Sequence, residues 1–137
     1  MSNKKDVLLG FFKSIDDHNY DLAERIMGKK HKMYSPMSPE PMDNAQHLGL
    51  MKAFNGGFTQ GHHEFADVIE AGNKVVARGT WTGKHTGEFN GIPASGKQVK
   101  LPFIVIGEIE DNELRTQWIE MDSMTLLTQM GAIPAHA

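Results

Sequence analysis

The chain has 137 residues, enough for one domain (1–137) with a single core and too few for a second. Hydrophobic residues make up 39% and charged residues 23%, and a net charge of −3 gives no basic field for nucleic acid or an anionic membrane. The absence of cysteine excludes disulfides, thiolate nucleophiles and thiolate metal sites.

The N-terminal MSNKKDVLLGFF has too short an apolar run for a spanning helix and no small-residue cleavage site, so a soluble cytoplasmic protein is expected. Val7, Leu8, Phe11, Phe12 and Ile15 recur at one-sided helical spacing. DHNYD (17–21) breaks the pattern. Leu22, Ala23, Ile26 and Met27 then form a short second helix that Gly28 stops. SPMSPEPM (35–42) carries three prolines and must be an extended loop. Asp43, with Gln46 three residues on, is an N-cap. His47, Leu50, Met51, Phe54 and Phe58 line one face of the third helix.

From residue 62 the period changes to two. HHEFADVIE (62–70) and KVVARGTWT (74–82) flank a Gly-Asn turn, and KQVKLPFIVIGEIE (97–110) and LRTQWIEMD (114–122) flank another at DNE (111–113). SMTLLTQMG (123–131) closes the chain as a short apolar helix or turn. Three helices followed by a four-stranded meander make an α+β domain. A curved sheet with helices across its open side encloses a cone able to bury a small molecule. The nine methionines either fill gaps in that core or line an adaptable pocket.

The segment GKHTGEFNGIPASGK (83–97) raises the question of phosphate binding. A phosphate loop needs glycines that open a helix, with Lys-Ser/Thr in a fixed place, whereas these glycines lie between two strands. The motif G-x-H-x-G-x-F-x-G-I-P (83–93), the Ser95-Gly96-Lys97 after it, W-x-x-x-D (118–122) and L-L-x-Q-x-G (126–131) stand in order over about half the chain. Together they resemble the SnoaL-like polyketide cyclases, also called ester cyclases, of the nuclear-transport-factor-2-like superfamily. The resemblance implies a cone of three N-terminal helices on a curved four-stranded antiparallel sheet, with the glycine-rich loop packed over it. It also implies a hydrophobic small-molecule ligand, no cofactor, and a homodimer formed through the outer face of the sheet.

Cyclases of this family close a ring by intramolecular aldol condensation. One carboxylate in a water-poor pocket can serve as base and then as acid. In the founding member that carboxylate aligns with Ile119 of this chain, and a neighbouring histidine aligns with Val105; both proton-transfer groups are therefore replaced. Asp122 remains, matching the aspartate that follows the tryptophan, and is either an acid/base at the cone mouth or the cap of the helix beginning at Ser123. His85 either polarises a carbonyl or orders the glycine turn. Arg78, with Thr80 and Thr82 on one strand face, either holds an acidic ligand or pairs with Asp122 or Glu120. Trp118, Met51, Phe54, Phe103, Val105, Ile119 and Met121 are expected to line the pocket, with one of Trp81 and Trp118 in the cone and the other in the sheet or at a dimer face.

His62 and His63 are adjacent and face opposite ways on a strand, and the spacing of His31, His47 and His63 matches no metal motif, so no metal is expected. No G-x-S-x-G surrounds a serine. The expected function is cofactor-free acid/base chemistry on a hydrophobic carbonyl compound, with Asp122 as acid/base and His85 and Arg78 orienting. The alternatives are a non-catalytic binding domain, or a hydrolase or isomerase of the same fold.

Overall fold

The apolar spacing at the N-terminus produces helix α1, Lys4–Asp16, in the computed structural model, which describes residues 3–133. Asn3 caps it by accepting from the Asp6 N–H at 2.8 Å, and Val7, Leu8, Phe11, Phe12 and Ile15 form its buried face. Helix α2 follows over Tyr20–Met27 and stops at Gly28. A three-residue strand β1, Lys32–Tyr34, precedes the proline loop. Helix α3, Asn44–Gly57, opens with the full capping box of Asp43 and Gln46. Strands β2 (Phe58–Ala71), β3 (Lys74–His85), β4 (Gln98–Glu110) and β5 (Glu113–Met121) form the meander, and helix α4 (Ser123–Gln129) follows.

The sheet has the order β1-β5-β4-β3-β2, with β1 parallel to β5 and the other pairs antiparallel. The α+β cone is therefore as expected, with one more strand and one more helix. Strand β1 is too short to show a period in sequence; it is pinned by pairing with β5 on one side and with Met42 on the other. Phe58, expected on the third helix, instead begins β2. The Gly72-Asn73 turn has positive φ only at Gly72, as a type II′ turn requires, whereas Asp111 and Asn112 both have positive φ, as type I′ requires. Register shifts at Thr59/His62 and Phe65/Asp67 bend β2 around the helices.

Alternation decides what the concave face carries. Val75, Ala77 and Trp81 of β3, Val99, Leu101, Phe103 and Val105 of β4, and Gln117 and Ile119 of β5 are buried beneath α1 and α3. Each large apolar side chain so covered contributes about 1.5–3 kcal/mol relative to exposure. Residues 86–97 close over the end of α3. The Thr86 and Gly87 N–H groups donate to the Gly57 carbonyl at 3.1 and 3.0 Å, and Phe89 packs on Phe54 with ring centroids 4.5 Å apart. This approach requires glycine at 87, where a Cβ would overlap the Gly56 carbonyl oxygen. Among the described residues no helix is long and apolar enough to cross a membrane.

Candidate active site

A cavity of about 50 Å³ lies between α1, α3 and the concave face of the sheet. That is room for a few waters and less than an aromatic ring needs. Met51, Phe54, Phe103, Ile119 and Met121 line it, together with Trp81 and Met33. Three of these walls are methionines, whose flexible thioethers can move aside for a larger ligand.

Five polar side chains interrupt the apolar lining: Ser35, His47, Asn55, His63 and Gln117. His63 is held by Asp16 at the C-terminal end of α1. The ring Nδ1–H donates to Asp16 Oδ1 at 2.7 Å, and the His63 backbone N–H donates to Oδ2 at 2.8 Å. A carboxylate only accepts, so the tautomer is set and Nε2 is the nitrogen left for a ligand. The His63 and Asp16 side chains are only 11% and 14% exposed. Phe12 and Phe103, which also touch each other, pack against the imidazole with ring centroids at 4.7 and 5.6 Å. An imidazole oriented by a carboxylate is the arrangement that general-base catalysis uses.

His47 of the lining belongs to a pair of imidazoles with His31. His31 Nδ1–H donates to the Leu114 carbonyl at 2.6 Å, and His31 Nε2 meets His47 Nδ1 at 2.8 Å. Burial lowers the pKa of His31, opposed by its bond to Leu114 and by Asp43. Burial, reinforced by His31, lowers His47 to about 3. Gln117 is buried, and its Oε1 has no hydrogen-bond partner among the described residues. Asn55 spends its amide on the Ile15 carbonyl and the Tyr20 hydroxyl, at 3.0 and 2.8 Å.

The polar residues expected from sequence to do the chemistry do not line this cavity. Asp122 caps α4: its carboxylate accepts from the Thr125 N–H at 3.0 Å and from the Thr125 hydroxyl, and these bonds hold its pKa below the usual value. Arg78 faces outward and pairs with Asp67 across the β2–β3 ladder at 2.7 Å, not with Asp122 or Glu120. These three residues, Arg78, Glu120 and Asp122, border a shallow outer groove. His85 points inward but is sealed under the loop, stacked on Phe58. The Ser95 N–H and hydroxyl both donate to its Nδ1, at 3.2 and 2.9 Å, so it orders the glycine turn. Its Nε2 is buried without a partner among the described residues.

Of the expected pocket residues, Trp118 is the one on the wrong face. Gln117 and Ile119 point inward, so Trp118 points out and stacks on Tyr34 at 5.9 Å, and Trp81 is the tryptophan in the cone. Val105 is fully buried in the core without lining the cavity. The Asp16–His63 pair leaves no local signature in the sequence because its members are 47 residues apart. Alternation did put His63 opposite the exposed His62, in phase with Phe65, and that was the available signal.

The architecture recurs in solved structures. AclR of Streptomyces galilaeus, proposed to be a hydroxylase, superposes with a TM-score of 0.87 at 19% identity over 98% of this chain and 84% of that one. IdmH of Streptomyces antibioticus, proposed to be a polyketide cyclase, gives 0.84 at 19% identity over 95% and 99%. A proposed SnoaL-like polyketide cyclase from Jannaschia sp. gives 0.85 at 21% identity over 96% and 93%. At these identities the likeness is one of fold. No curated protein matches significantly. The SnoaL-like polyketide cyclase family itself matches residues 6–130, and the chain belongs to that family.

Proposed function

We propose that the protein carries out cofactor-free acid/base chemistry on a hydrophobic carbonyl compound held in the cone. The observation that carries this reading is His63, which lines the largely apolar cavity with its Nδ1–H held by Asp16 behind it. His63 Nε2 would take a proton from the carbon next to the carbonyl, and Asp16 faces the charge that the ring then acquires. Returning that proton to the oxygen of the attacked carbonyl completes an aldol closure with no external co-reactant. His63 thus stands in for the carboxylate that the family resemblance places at Ile119. Met51, Phe54, Phe103, Ile119 and Met121 would hold the apolar body of the substrate. The test is solvent deuterium exchange at the methyl group of acetophenone, followed by NMR. Acceleration by the protein that His63→Gln abolishes is the expected result; exchange equal in both proteins refutes it.

The replacement of both proton-transfer groups at Ile119 and Val105 favours a second reading, a binding domain without turnover. In that case His63→Gln leaves ligand affinity and the absence of exchange unchanged. The homodimer also stands as a proposal: Tyr34, Ile69 and Ile104 are exposed apolar residues on the outer face of the sheet, where pairing would cover them.

A further inference from the structure

The His31–His47 pair plays no part in the chemistry just proposed, yet its geometry is fully specified. The Leu114 carbonyl can only accept, so His31 Nδ1 must carry a proton. In a neutral His31, Nε2 is then a lone pair, and His47 Nδ1, 2.8 Å away, must donate to it. His47 Nδ1 is thereby occupied, and Nε2 of His47 becomes a lone pair as well. The ring centroids are 5.0 Å apart with only 14° between their planes, as an in-plane N–H···N bond between the two edges requires, and Phe11 packs on His47 at 5.2 Å. Moving the His31 proton from Nδ1 to Nε2 would break the bond to Leu114. Burial, which lowers the pKa of both rings, keeps the pair neutral.

Both His47 and Gln117 are 1% exposed, and both line the cavity. Gln117 Oε1 is a buried acceptor without a donor among the described residues. The tautomer chain therefore leaves His47 with one fixed acceptor, Nε2, for a ligand's proton donor, beside the unmatched Gln117 Oε1.

We propose that His47, fixed in one tautomer by His31 and the Leu114 carbonyl, is a specificity-determining acceptor that selects ligands bearing a hydroxyl, as a phenol or an enol, over their methyl ethers. His47 would touch the ligand, and His31 is a positioning residue that acts through it. The proposal rests on the proposed function only in taking the cavity as the ligand site, and it holds whether or not turnover occurs.

The test uses the full chain labelled with ¹⁵N-histidine, at pH 7.5, with phenol and anisole as probes. Long-range ¹H–¹⁵N spectra should show His47 protonated at Nδ1 with Nε2 at the shift of a bare nitrogen. Phenol should move that Nε2 signal, anisole should not, and phenol should bind roughly 10- to 100-fold more tightly. His47→Phe assigns the signal and should bring the two affinities together; if it fails to fold, His47→Gln, which keeps a donor for His31, serves for assignment. An Nε2–H or doubly protonated His47, equal affinities, or no phenol-dependent shift overturns the proposal. Failure here leaves the exchange assay on His63 intact, and the reverse also holds, because one experiment reads His47 and the other reads His63.

Discussion

Replacing Asp16 by asparagine changes one atom and should change both stability and chemistry. The native carboxylate accepts two hydrogen bonds from His63, from the ring at 2.7 Å and from the backbone at 2.8 Å. An amide offers only one acceptor. If its oxygen keeps the backbone N–H, its NH₂ group faces the ring and forces Nδ1 to become the acceptor. The imidazole then carries its proton on Nε2 and presents a donor to the cavity instead of a base. Hydrogen bonds to charged groups contribute about 1.5–3 kcal/mol and neutral ones about 1 kcal/mol, so the net loss should be about 1–3 kcal/mol. For a chain of this length that is a fall in Tm of roughly 4–12 °C. Loss of a positioned base should slow proton abstraction by roughly 10²–10⁴-fold. Calorimetry and acetophenone deuterium exchange, run on the same preparation, read the two effects separately. A folded Asp16→Asn variant with undiminished exchange would refute the role of the pair in catalysis. Native stability as well would refute the hydrogen-bond reasoning itself.

Asp122→Asn should leave both stability and exchange near native, because asparagine caps equally well, whereas Asp122→Ala should fray α4 and still leave exchange unchanged. The Thr125 hydroxyl and N–H lower the Asp122 pKa below 3.8, so its stabilising effect is present above that pH and is lost as pH falls through the lower folded value. His47 behaves oppositely to a paired histidine. The unfolded chain takes up a proton below 6.5, but the folded one does so only near 3. Stability should therefore be full above pH 6.5 and fall by about 1.4 kcal/mol per unit below it, a slope that His47→Gln should flatten in chemical denaturation series. Gly87→Ala should detach the 86–97 loop by forcing a Cβ against the Gly56 carbonyl, seen as faster amide exchange at Thr86 and Phe89 with the sheet intact.

Local rules carried much of the fold into view. The Asp43–Gln46 box, the Gly72 and Asp111-Asn112 turns and the one-sided apolar spacing of α1 all depend on residues within four positions of each other. Period two also separated each strand into its two faces, and five of the expected pocket residues do line the cavity. Alternation cannot say which face the helices cover, however. Arg78, Thr80 and Thr82 share a face, as expected, but it is the outer one, because α1 and α3 cover the apolar set of Val75, Ala77 and Trp81. The same choice turns Trp118 outward and leaves Asp122 at the sheet's edge as a cap.

The sequence alone determined the elements, their order and their amphipathic faces, since these follow from neighbours along the chain. The tertiary structure alone decided which histidines line the cavity and what holds them. Asp16 meets His63 across 47 residues, and Leu114 fixes His31 across 83. Hydrogen bonds of such long range leave no periodic trace, because they depend on how the sheet curves back beneath its helices rather than on any spacing along the chain.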